Sequence, residues 1–117
     1  MAKKRTSTRK KVAYIVTRCG TRELIEGCLL TTIAAGTHGA DVVAMHFAED
    51  GVYHLVKGST NGKKIARAIK DHGVVVLACE CSVEHRGLRD KLVGGVAIGH
   101  FSHFWEAAAD ADHVIAL

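Results

Sequence analysis

The stretch Val74-Val75-Val76-Leu77-Ala78-Cys79, followed by Glu80-Cys81-Ser82 and then His85-Arg86-Gly87, decides how this chain is read. Six consecutive apolar positions, rich in β-branched residues, form the pattern of a strand buried on both faces, as in a parallel sheet. The turn after it is polar. Ligands of open α/β sheets gather outside the carboxyl ends of such strands, so Cys79 stands where chemistry is expected in that fold class.

The elements on either side repeat the same alternation. Lys11 to Val16 reads as a first strand and Arg18-Cys19-Gly20 as its turn. Thr21 is the expected N-cap of a helix carrying Leu24, Ile25, Cys28, Leu29 and Ile33 at helical spacing, with Cys28 in the core, until Gly36 and Gly39 end it. Asp41 to Phe47 reads as a second buried strand, broken by Asp50-Gly51, and Val52 to Val56 reads equally as a short helix or as irregular chain. Asn61 is the expected cap of a helix with Ile65, Ala66 and Ile69 inside, stopping at Asp71-His72-Gly73 before the strand Val74 to Ala78. Ser82 is the expected cap of a helix with Val83, Leu88 and Leu92 on its inner side, leaving at Gly94-Gly95. Val96 to Ile98 is a short apolar piece, Ser102 caps a helix through Ala111, and His113 to Leu117 is a final strand. Strands alternating with helices of about ten residues imply parallel βαβ units. The expected fold is a single-domain three-layer α/β/α sandwich around a mainly parallel sheet of about five strands.

The composition sets the class. The chain has 117 residues, 48% hydrophobic and 24% charged, which suits one globular domain with a real core. No apolar run approaches the length of a membrane span, and the basic amino terminus has no apolar segment behind it, so neither membrane nor signal peptide is expected. The reading is a soluble, cytoplasmic protein, and its four cysteines, lacking the spacing of a disulfide framework, are expected as free thiols. Six of the 16 basic residues lie among the first eleven, leaving ten against 12 acidic residues in the remainder. The net charge of +4 therefore belongs to a tail, residues 1–10, which is expected to be disordered, with 11–117 as the folded domain. The tail is the one element suited to RNA or another polyanion; a solubilising terminus is the plainer reading, and the body lacks a basic stripe with interleaved aromatics.

Three motifs resemble the DsrE-like family, which includes sulfur-relay subunits of tRNA 2-thiouridine synthesis and of dissimilatory sulfur metabolism. Gly39-Ala40-Asp41-Val42-Val43-Ala44-Met45-His46-Phe47 with Asp50-Gly51-Val52 is similar to the family's second strand and its Phe-x-x-Asp-Gly-Val exit. Cys79, followed by Arg86-Gly87, is similar to its cysteine and basic-Gly helix motif, with His85 where relay members often carry another arginine. Val96-Ala97-Ile98-Gly99 and the alanine-rich helix leading to Asp112-His113-Val114-Ile115 resemble its carboxy-terminal third. The resemblance spans roughly Lys11 to Leu117.

The resemblance implies a sulfur carrier that holds sulfane sulfur as a persulfide on Cys79, served by donor and acceptor proteins, more a sulfurtransferase-like carrier than a turnover enzyme. A thiol at a helix N-terminus, with His85 and Arg86 one turn inside that helix, is biased toward the nucleophilic thiolate. Cys79 reads otherwise as a small buried residue ending a strand. Cys81 is either a resolving thiol or merely exposed. Cys19, at the same sheet edge, is a further candidate for the Cys79 pocket. The alternative function is a small-ligand or metal-binding oligomeric module without sulfur transfer. Cys79-x-Cys81 with His85, or His100-x-x-His103, offers zinc-type ligands, but neither has the spacing of a structural site, so no metal or cofactor is expected. His46 and His54 are read as satisfied or surface residues near the sheet edge. Gly36-Thr37-His38-Gly39 closes a helix and so is no phosphate loop. Family members form homo-oligomers, commonly trimers or hexamers, and Phe101, Phe104 and Trp105 are the expected interface.

Overall fold

A wholly parallel five-stranded sheet in the order β4-β3-β2-β1-β5 organises the chain, as seen in a computed structural model that describes residues 9–117. The elements are β1 (Lys11–Val16), α1 (Leu24–Leu30) running directly into α2 (Thr31–Ala35), β2 (Asp41–Phe47), a 3-10 segment (Glu49–Leu55), α3 (Thr60–His72), β3 (Val75–Cys79), α4 (Glu80–His85), β4 (Ala97–Gly99), α5 (Phe101–Ala107) and β5 (His113–Ala116). The mixed α/β single domain and the five parallel strands are those the sequence predicts. Most of the expected basic tail lies outside the described residues. Its last two residues are tied to the start of β2, Arg9 through an ion pair with Asp41 at 3.3 Å and Lys10 through its carbonyl, which accepts from the Asp41 N–H.

Alternation along the strands divides the core in two. Val12, Tyr14, Val16, Met45, Phe47, Val76 and Ala78 face α1, α2, α3 and the 3-10 segment, where they pack with Ile25, Leu29, Leu30, Ile65 and Leu55. Ala13, Ala44 and Leu77 face the other way, toward Phe104 and Ala108. Among the described residues, one short helix, α5, is all that covers this second face. Val75, Val114, Phe101 and Trp105 are left exposed on it, at 41% or more where the core residues are at 8% or less.

Helix starts differ from expectation at four places, at three of them because a polar side chain finds a partner other than the backbone it was expected to cap. The Thr21 hydroxyl donates to the Arg18 carbonyl, and Glu23 precedes α1 without a side-chain cap. Ser59, not Asn61, caps α3, accepting from the Gly62 N–H at 3.0 Å. Ser82 lies inside α4, where its Oγ accepts from the Glu49 N–H at 2.7 Å, and Cys79 is the residue that precedes the helix. His100 precedes α5, so Ser102 is already helical. The expected long helix beyond Ser82 stops at His85; Leu88 and Leu92 are buried from irregular chain instead. Cys28 is exposed, not in the core. The reason is the winding of α1, whose i→i+5 bonds end with the Thr31 N–H on the Glu26 carbonyl and turn Ile25, Leu29 and Leu30 inward.

Candidate functional site

Cys79 closes β3 and opens α4, so one backbone position joins strand end to helix start. Ala78 belongs to the α1–α3 core and Leu77 to the α5 core, so alternation puts Cys79 on the α5 face. Its register partner on β4 is Gly99. A Cβ at Gly99 would stand 2.8 Å from His103 Nδ1, so the absence of a side chain is what lets the His103 ring lie against Gly99, the residue paired with Cys79. The His100 N–H donates to His103 Nδ1 at 3.1 Å. With Nδ1 accepting, the neutral ring carries its proton on Nε2. His100 Nε2 lies 3.1 Å from Glu80 Oε1, and the other Glu80 oxygen takes Arg89 at 3.1 Å, with Glu84 on the same guanidinium.

On the same face, His46 is fully buried near the carboxyl end of β2, its ring tilted over Phe101 with centroids 4.4 Å apart and against Phe104 at 5.5 Å. Neither of its nitrogens has a hydrogen-bond partner among the described residues. Burial lowers its pKa, keeping the ring neutral. The expectation of a satisfied or edge histidine fails here because β2 is the central strand.

Arg86 serves a different purpose from the one expected. Its Nε and Nη2 donate to Asp50 Oδ1 at 3.2 and 3.0 Å, and Nη1 donates to the Ser82 carbonyl at 3.1 Å. With the Ser82 hydroxyl on Glu49, this clamps the start of the 3-10 segment to α4 and holds Glu49 at φ 52, a conformation that non-glycine residues seldom adopt. His85 is exposed at the far end of α4. Since α4 has only six residues, the helix dipole expected to act on Cys79 is small.

The model of the DsrE/DsrF-like family matches residues 10–117. The chain belongs to that family. Among solved structures, this DsrE-like protein resembles the ychN protein from E. coli, with a TM-score of 0.68 and 21% identity over 94% of this chain and 100% of that one. It also resembles MTH1491 from Methanobacterium thermoautotrophicum, with a TM-score of 0.65 and 16% identity over 92% of this chain and 98% of that one. At these identities both show a shared fold. No curated protein matches.

Other residues of this DsrE-like protein singled out from sequence fall in three places. Cys81 is exposed in the first turn of α4, two residues from the half-buried Cys79, and all four cysteines are free thiols. Cys19 lines a cavity with Arg22, His54 and Asn61 on the α3 side, a cavity that does not include Cys79, because the chain after β1 turns toward α1 while Cys79 lies on the α5 face. Phe101 and Trp105 are exposed as an interface would require, but Phe104 is fully buried and belongs to the core. Among the described residues no group of three or more His, Cys, Asp or Glu is placed to hold a metal ion. Sequence reasoning missed Gly99 as the residue paired with Cys79 and His103 as the ring packed on that glycine; the i, i+3 spacing of His100 and His103 pointed to a ligand pair, and only the β3–β4 register sets Gly99 beside Cys79.

Proposed function

We propose that this protein carries sulfur as a persulfide on Cys79. The observation that carries the reading is the position of Cys79, half-buried where β3 meets α4, in a chain whose family includes sulfur-relay proteins. The transfer conserves atoms and electrons. The Cys79 thiolate attacks the outer sulfur of a donor persulfide, the donor's S–S bond breaks, the Cys79–S–S bond forms, and the donor leaves as a thiolate that takes up the proton Cys79 gave. Cys79 is itself half-buried, so its thiol keeps part of its surface open to a donor. Cys81, a free exposed thiol two residues on, is the candidate to resolve the persulfide, releasing sulfide as a Cys79–Cys81 disulfide forms. A reducing cytoplasm and donor and acceptor proteins complete the reading, as does a homo-oligomer joined through the exposed α5 face.

Intact mass after incubation with a small-molecule persulfide donor tests it. The mass of one sulfur atom is expected to be gained, removed by reductant, and absent in Cys79→Ser but retained in Cys81→Ser. Loss of the adduct only in Cys81→Ser, or no adduct at any thiol, would refute it.

A further inference from the structure

We propose that His100 and Arg89 are positioning residues for Cys79, holding the Glu80 carboxylate so that its charge does not oppose the thiolate, and then the persulfide anion, on the neighbouring sulfur. This rests on the reading of Cys79 as the thiol that carries sulfur.

Glu80 follows Cys79 directly and is the first residue of α4. A carboxylate next to a thiol works against the anionic form that attacks a donor, because like charges repel. The basic residues expected from sequence to counter it are engaged elsewhere. Arg86 is committed to Asp50 at 3.0 Å and to Glu49 at 3.8 Å, and His85 is exposed at the far end of α4. The carboxylate is met instead from two other directions. Cys79 pairs with Gly99 in the sheet, so the next residues, Glu80 and His100, leave two neighbouring strand ends side by side. His100 Nε2 lies 3.1 Å from Glu80 Oε1, and Arg89 Nη2 donates to Glu80 Oε2 at 3.1 Å. Each oxygen has its own partner.

The partners are fixed in turn. The His100 N–H donates to His103 Nδ1 at 3.1 Å, and the His100 ring accepts from the His103 N–H. With Nε2 on Glu80, the accepting atom is Nδ1, which leaves the hydrogen of the neutral ring on Nε2, aimed at the carboxylate. His100 therefore donates to Glu80 in both of its protonation states. Arg89 Nε donates to Glu84, four places on from Glu80 in α4, so one guanidinium sits between two carboxylates that repel at that spacing. The side chains are half-exposed, at 59% for His100, 53% for Arg89 and 42% for Glu80, and exposed ion pairs add little to stability. The consequence of the network is local and falls on the adjoining thiol.

Alkylation of Cys79 by iodoacetamide measures that consequence. Rates are followed by peptide mass spectrometry across pH at low salt in a Cys81→Ser background, with Cys28 as the internal control. His100→Ala and Arg89→Gln are each expected to slow Cys79 about twofold to fivefold at pH 7 and to move the midpoint of its pH profile upward, with the rate at high pH and the thermal midpoint unchanged. His100→Gln, whose amide can donate in place of Nε2, is expected to restore the wild-type rate. In a Glu80→Gln background His100→Ala is expected to have no effect, because it acts only through the carboxylate. Equal rates in wild type and His100→Ala, a slowing that persists without the Glu80 charge, or a change confined to the thermal midpoint would overturn the proposal. Intact mass with the persulfide donor keeps the two readings apart. A wild type that gains no sulfur refutes the carrier role whatever the alkylation rates, whereas His100→Ala gaining sulfur as fast as wild type refutes the positioning role alone.

Discussion

The backbone of Val16 passes so close to Gly51 that an added Cβ would stand 2.2 Å from its carbonyl oxygen. This is the physical content of the glycine in Asp50-Gly51-Val52: the 3-10 segment crosses directly over the end of β1. Gly51→Ala is expected to cost about 1–3 kcal/mol, as overpacking does, read as a lower urea midpoint at unchanged slope. His46 makes the opposite case. Replacing its unpartnered imidazole with a similarly sized apolar group removes a desolvation penalty, so His46→Leu is expected to stabilise the fold by about 1–3 kcal/mol. Burial also sets a pH dependence. It lowers the pKa of His38, His46 and His54 from 6.5, while the unfolded chain keeps the ordinary value. Below about pH 6.5 the unfolded state binds more protons than the native state, so stability is complete above that pH and falls as the pH drops through it. Urea midpoints between pH 7.5 and 5 are expected to show this decline, and His46→Leu to make it shallower.

At the level of elements, the sequence marked where helices begin to within a few residues but misassigned the residues that begin them. Thr21, Asn61, Ser82 and Ser102 are all good N-cap types, and which of a run of polar residues becomes the cap depends on what else each can reach. Asn61 is held by Arg22 and His54, so Ser59 caps α3, and Ser59→Ala is expected to lower stability by about 1 kcal/mol. Ser59→Asp, which keeps an acceptor, is expected to lose less, and thermal denaturation of the two separates capping from packing. α5 carries its face of the sheet almost alone. Phe104→Ala is expected to cost about 3–5 kcal/mol, whereas Trp105→Ala, on an exposed ring, is expected to cost far less. The same denaturation measurement decides between them.

For the molecule as a whole, the two faces of the sheet are unequally covered. α1, α2, α3 and the 3-10 segment pack one face, while Val75, Val114, Phe101 and Trp105 stay exposed on the other, an apolar area suited to a second copy of the chain. Sedimentation equilibrium is expected to show an oligomer for the wild type and a smaller species for Trp105→Glu; a monomeric wild type at micromolar concentration would remove this assembly. No described helix is long and apolar enough to cross a membrane. The sequence by itself determined the fold class, because five apolar runs separated by helix-length segments admit few arrangements other than parallel βαβ units. It also determined Cys79 as the residue at the carboxyl end of β3, since strand periodicity is local. Only the tertiary structure decided the company Cys79 keeps. Gly99 is set beside it by the β3–β4 register, Arg86 is drawn away by Asp50, and Cys19 turns to the other face toward Arg22 and Asn61. Those neighbours are fixed by pairing across strands and by competition for hydrogen-bond partners far apart in the chain, neither of which leaves a period or a spacing in the sequence.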